Sequence, residues 1–252
     1  MTKKQQKKLD RAFSALRELY ASIPDTKGCM DHIKKPKSEG GCNGQCCRIQ
    51  CPSALYVEFL YAWEKVLKWP KNKIADLIEA CMGNYLSDNL TKGCVFFDSK
   101  KNLCMQHETR PFNCFLYGII PEEEFKPRIE RLRKEFENVF GAVFMDQCNL
   151  VSTIDGRKVT VSMSNRWWKK LINIEESIGI NRKDIHDNIG GSYRTYHDHI
   201  LLQVCTDAIM RQLQFLKLHG KKEEKDIAIE GLMKGLRKTY LGQNENSNSS
   251  TS

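Results

Sequence analysis

No stretch of the 252-residue chain approaches the ~20 consecutive apolar residues that a membrane-spanning helix needs. The opening segment, MTKKQQKKLDRAF, lacks the apolar run of a secretory signal, so export by that route is not expected. No GxGxxG, P-loop or GxSxG motif occurs, which leaves dinucleotide, NTP and serine-hydrolase chemistry without support. No glycine-rich strand-to-helix turn marks a usual S-adenosylmethionine site either. Histidine is scarce, with six in all. His197 and His199 flank Asp198 at a spacing that would put them on different faces of a helix, unlike a metal-binding pair four residues apart. Cysteine is too sparse for a disulfide scaffold, which needs ~8–10%. The count of eleven is nevertheless high, and odd, for a chain with no export signal. The expectation is a cytoplasmic, reducing setting, where clustered cysteines bind metal more often than they pair.

What is present is mostly helical pattern. At 40% hydrophobic and 28% charged residues the chain can enclose a core. Leu9, Phe13, Leu16 and Tyr20 recur at helical spacing over 5–21, before Pro24. Residues 53–69 and 71–86 read as two further helices, the first with Ser53 as candidate N-cap. Helices are also expected over 127–140, from Ser164 to Ile178 with Trp167, Trp168, Leu171 and Ile174 inward, over 193–218 and over 223–240. Short strands are expected at 94–98 and 116–120, a turn at 98–102, and an Asp-Gly hairpin turn at Gly156. The fold class is therefore mainly α with small irregular or β elements, a metal-stapled, cysteine-rich core being surrounded by helices. The segments are a basic N-terminal helix (1–24), a cysteine-cluster metal-binding domain (25–150), a helical C-terminal part packed on it (151–241), and a polar, disordered tail (242–252).

The net charge is +9, and residues 1–37 carry ten basic against four acidic side chains. No aromatic residues interleave with these lysines to stack on bases, so a nucleic-acid partner is disfavoured. A protein partner or protein substrate, of unknown identity, is the expectation that remains.

The cysteines concentrate in two irregular, glycine-bearing segments. GGCNGQCCRIQCP carries Cys42, Cys46, Cys47 and Cys51, with Cys29 upstream. KGCVFFDSKKNLCMQHETRPFNCFLYG carries Cys94, Cys104 and Cys114. Thiolates suit zinc, Cu(I) and iron–sulfur clusters, and four of them close a tetrahedral zinc site or hold one [4Fe–4S] cluster. A polar loop with few apolar residues must recover its ordering entropy, and a metal centre supplies that free energy. More thiols gather here than one zinc requires, which tips the balance toward iron–sulfur or two centres. Arg48, Lys92 and Arg110 lie beside the cysteines and would offset thiolate charge; Arg48 and Arg110 are the candidate groups contacting the cofactor. Pro111 restricts Arg110 to extended backbone on the approach to Cys114. His107 is an alternative ligand for a mixed site. Cys81 and Cys205 lie on apolar helical stretches and read as core, and Cys148 is left open.

The combination of GQCCR, CVFFD and CMQHETRPFNCFLYG resembles the YkgJ-like "CxxCxxCC" family of zinc- or iron-chelating proteins, over roughly residues 40–120. That resemblance implies a bound iron–sulfur cluster, or zinc, with Cys42, Cys46, Cys47, Cys94, Cys104 and Cys114 as ligands. The chain departs from the family pattern in having CxxxCC and in adding Cys51. The family's broader grouping includes flagellin lysine N-methylases, which brings S-adenosylmethionine and protein lysine methylation in as an alternative. Three readings follow: a metal protein with a redox or structural role, including an iron–sulfur oxidoreductase; a protein lysine N-methyltransferase; and a zinc-stapled interaction module.

Overall fold

The computed structural model describes residues 2–27, 29, 35, 37–41, 44–88, 92–140, 148, 150–185 and 191–240. Helix is the dominant element, at 65%, beside small two-stranded sheets, so the protein is mainly α with minor β structure. Among the described residues the helices longer than one 3₁₀ turn are, in chain order, α1 (Lys3–Ala21), α2 (Gln45–Ile49), α3 (Tyr56–Val66), α4 (Lys71–Leu86), α5 (Phe112–Leu116), α6 (Glu122–Phe140), α7 (Val161–Ser177), α8 (Tyr196–Val204), α9 (Asp207–His219) and α10 (Lys222–Tyr240). The strands are β1 (Thr26–Lys27), β2 (Ser53–Ala54), β3 (Phe97–Asp98), β4 (Leu103–Cys104), β5 (Ser152–Thr153) and β6 (Arg194–Thr195). They pair antiparallel as β1 with β5, β2 with β6 and β3 with β4.

The chain forms two compact units, each built from separated stretches. The first comprises residues 1–63 and 89–196. Its core gathers Phe13, Leu16, Leu55, Val57, Phe112, Trp167 and Leu171, with α1 packed on α7. α1 starts cleanly because Thr2 and Gln5 form a reciprocal capping box. The second unit comprises residues 64–88 and 197–252. Here α4, α9 and α10 pack together around Ile78, Cys81, Met82, Leu213, Met233 and Leu236. Lys225 pairs with Asp88 at 3.0 Å, Arg237 with Glu79 at 3.2 Å, and Lys217 lies over the Tyr85 ring at 4.4 Å. The tail 242–252 lies outside the described residues.

Several local expectations are corrected, each for an identifiable reason. Ser53 does not cap α3; it is paired with Thr195 in a sheet, and buried carboxylates take over the capping. α7 is capped by Thr160, whose hydroxyl accepts from Met163 N–H, four residues before Ser164. The expected helix over 193–218 is two helices, because Thr206 accepts from Ile209 N–H and starts α9 afresh. LYGII is no strand: Leu116 ends α5 and Gly118 turns at φ 94°. The Asp-Gly turn exists, with Gly156 at φ 70°, but β5 pairs with β1 rather than with the residues after the turn. Cys81 is fully buried as expected, whereas Cys205 at the end of α8 is half-buried. Trp168, expected inward, is half-buried.

Candidate metal centre

Six of the predicted cysteines come together in the first unit from three stretches of chain. Cys46 and Cys47 lie on α2 and Cys51 just beyond it; Cys94 precedes β3 and Cys104 ends β4; Cys114 lies on α5. Cys42 falls outside the described residues. Cys29 and Cys148 are half-buried.

The first two stretches are tied through the backbone. Cys94 N–H donates to the Cys47 carbonyl at 2.7 Å. Gly93 makes this approach feasible, since a Cβ there would stand 2.8 Å from the Arg48 carbonyl. Gly44 has a left-handed φ of 65° as the N-cap of α2, and a Cβ on it would run into the Phe97 ring. Arg48 then lies over that ring at 5.0 Å and donates to Asn102 Oδ1 at 2.5 Å. Arg48 thus braces the β3–β4 turn, which turns through Asn102 at φ 48° and through Asp98, whose Oδ1 accepts from Lys100 and Lys101 N–H.

The thiols shape one another's ionisation. Cys46 and Cys47 sulfurs are 3.9 Å apart. The bond from Cys47 lowers Cys46 to about 7, and the same bond, with burial, raises Cys47. Cys94 is raised by its bond with Cys51 and by burial. Burial raises Cys104 to about 11, with Cys94 adding to it. Cys114 is raised by burial, then by Cys94, Cys104 and Cys46. Among the described residues, no three His, Cys, Asp or Glu side chains are arranged to hold one metal ion. The described thiols share one neighbourhood.

The surroundings of these sulfurs fit thiolate ligands. Backbone N–H groups bond two sulfurs in the same local turn, Phe96 to Cys94 and Gln106 to Cys104, each two residues on. The Arg110 charge opposes the rise at both Cys104 and Cys114. Arg110 stacks on Phe115 at 4.4 Å and donates to His107 Nε2 at 2.6 Å. Burial, then Arg110, lowers His107 to about 4, so its ring is neutral and already engaged with Arg110. Two buried donors, Gln106 Nε2 and Arg110 Nε, have no acceptor among the described residues. Nitrogen donors without acceptors beside thiols are what a site with negatively charged sulfur would use.

Sequence reasoning missed a set of buried polar groups in the same unit. Glu58 accepts from the Tyr20 hydroxyl, Leu55 N–H and Phe112 N–H; burial raises it to about 7 against those donors. Glu175 accepts from Tyr56 and Val57 N–H, and burial raises it too. Tyr196 stands edge-on to Phe96 at 5.1 Å and is raised by burial, then by Glu58, with Cys114, Cys94 and Cys51 adding to it. Gln106 accepts from the Thr109 hydroxyl. The signal for Glu58 was its isolation within the apolar run SALYVEFLYAW. Comparison with protein-family models, curated proteins and solved structures gives no match.

Proposed function

We propose that this is a metal-binding protein whose cysteine cluster holds an iron–sulfur cluster, of the [4Fe–4S] type, with zinc as the alternative. The observation that carries the reading is the gathering of Cys46, Cys47, Cys51, Cys94, Cys104 and Cys114 from three stretches of chain, close enough that the Cys46 and Cys47 sulfurs are 3.9 Å apart and Cys94 and Cys114 feel several of the others. Most of these thiols are held neutral by burial and by each other, so ionising them together needs a compensating positive charge. A bound cation deprotonates a coordinating thiol outright. The YkgJ-like resemblance points to the same chemistry. Arg48 would act by bracing the cysteine turns and Arg110 by offsetting thiolate charge, in a redox or structural role within a reducing, cytoplasmic setting. A protein partner or substrate remains the expected counterpart, and no described helix is long and apolar enough to cross a membrane.

The test is metal and acid-labile sulfide per chain on protein purified without oxygen. About four iron and four sulfide, with broad visible absorption, establishes the iron–sulfur form. One zinc without sulfide establishes the zinc form, and metal-free, colourless protein with freely reactive thiols overturns the reading.

A further inference from the structure

α5 is only five residues long, too short to hold itself, yet it carries Cys114. What places it is a set of bonds at its start. Glu58, 2% exposed, accepts at Oε1 from Phe112 N–H, the first residue of α5, at 2.6 Å. The same oxygen accepts from the Tyr20 hydroxyl on α1 at 2.6 Å, and Oε2 accepts from Leu55 N–H before α3 at 2.8 Å. All three partners donate, and they use both carboxyl oxygens, Oε1 for two of them and Oε2 for the third, whereas a glutamine amide would keep only one acceptor atom. On α5, Asn113 donates to the Ser53 carbonyl and the Tyr193 hydroxyl, both at 2.7 Å.

Glu175 is a built-in control. It is fully buried and caps α3 through Tyr56 N–H at 3.1 Å and Val57 N–H at 2.8 Å, and neither bond reaches α5. The two glutamates thus share burial and the capping of α3, and differ in that only Glu58 grips the cysteine-bearing helix.

We infer that Glu58 is a positioning residue for the cysteine site, fixing the start of α5 and through it the place of Cys114 among the other thiols. The inference rests on the metal-binding reading above. It is new in assigning the site's geometry to a carboxylate that contacts neither a thiol nor a metal.

The experiment uses full-length protein purified without oxygen. Metal content is measured, and metal loss to EDTA is followed through the thiolate-to-metal absorption for wild type, Glu58→Gln and Glu175→Gln, each with a thermal unfolding curve. Both variants lose stability. Glu58→Gln alone loses metal on the order of 10–100-fold more readily and shifts the absorption band, the scale set by removing partners that orient ligands. A Glu58→Gln protein that keeps the wild-type band and releases metal at the Glu175→Gln rate overturns the proposal and leaves the metal reading standing. A wild type with no thiolate-bound metal overturns both. If Glu58→Gln does not fold, Tyr20→Phe decides: several-fold faster metal loss supports the proposal, and the wild-type rate sinks it.

Discussion

Both units bury polar groups, but among the described residues the buried carboxylates and the gathered thiols belong to the first. The second packs α4, α9 and α10 largely through apolar side chains, and Cys81 sits among them as a small hydrophobe. It also buries Lys225, paired with Asp88, together with His197 and His199, while the charged groups of its pair Arg237–Glu79 stay half-exposed. The first unit buries two carboxylates, a glutamine and a tyrosine near a gathering of half-buried thiols, and among the described residues Gln106 Nε2 and Arg110 Nε have no acceptor there. Buried polar groups cost free energy unless fully partnered, and beside the thiols that partnering is incomplete among the described residues. The difference shows that cysteine number says little here, and that the company each cysteine keeps separates ligand candidates from core.

The largest expected effect sharpens that contrast. On the proposed reading, removing metal from the first unit would remove binding free energy that for structural thiolate sites is on the order of 10 kcal/mol. Hydrogen exchange at α5 and at the β3–β4 turn should then rise by orders of magnitude, while amides of α4 and α9 keep their protection. Uniform loss of protection would break the comparison. Next in size is a matched pair of substitutions. Cys81→Ser puts a hydroxyl into a fully buried apolar site and should cost about 1–3 kcal/mol without touching metal content. Cys104→Ser should abolish stoichiometric metal binding. Equal metal loss in both would mean that stability, not ligation, governs retention.

Acid–base behaviour gives a smaller effect of defined sign. In metal-free protein Glu58 has a folded-state value of about 7, above its ordinary 4.5, so folding favours its neutral form. That contribution is full below pH 4.5 and is lost as pH rises through about 7, a change on the order of 3 kcal/mol. His107 runs the other way. Its value of about 4 lies below the ordinary 6.5, so its contribution is present above pH 6.5 and lost as pH falls through about 4. The two oppose each other between pH 4.5 and 6.5. Denaturant titrations should show stability falling with rising pH in His107→Gln and rising with pH in Glu58→Gln, with wild type flatter than either. Parallel slopes in all three would remove both assignments.

Much of the fold could be read from periodicity. α1, α4 and α10 begin and end within about two residues of where apolar spacing and helix stops put them. The turn at 98–102 and the convergence of six cysteines were also legible, because glycines and soft ligands mark such segments. The failures at helix starts differ in cause: the caps of α7 and α9 are the local threonines Thr160 and Thr206, which compete with other nearby hydroxyls in the sequence, whereas α3 is capped by Glu58 from within and by Glu175, more than a hundred residues away. LYGII looks like a strand by composition, but the neighbouring backbone bonds of Phe115, Ile119 and Ile120 to Pro111 and Leu116 carbonyls keep it coiled. The buried carboxylates were the least legible feature, since one glutamate in an apolar run carries no statement of what donates to it.

The smallest expected effect tests whether the second unit is as plain as it looks. Arg237 and Glu79 are 3.2 Å apart with both side chains roughly half-exposed. An exposed pair of this kind contributes on the order of 0.5 kcal/mol and less at high salt, because water already solvates both charges. Glu79→Ala should therefore move the unfolding midpoint only slightly, and the remaining difference should shrink in molar salt. Glu175→Gln should cost several times more, because it weakens a buried acceptor that serves two backbone donors. If Glu79→Ala proved the costlier of the two, polar cost would not be concentrated around the cysteines, and the contrast between the units would lose its physical basis.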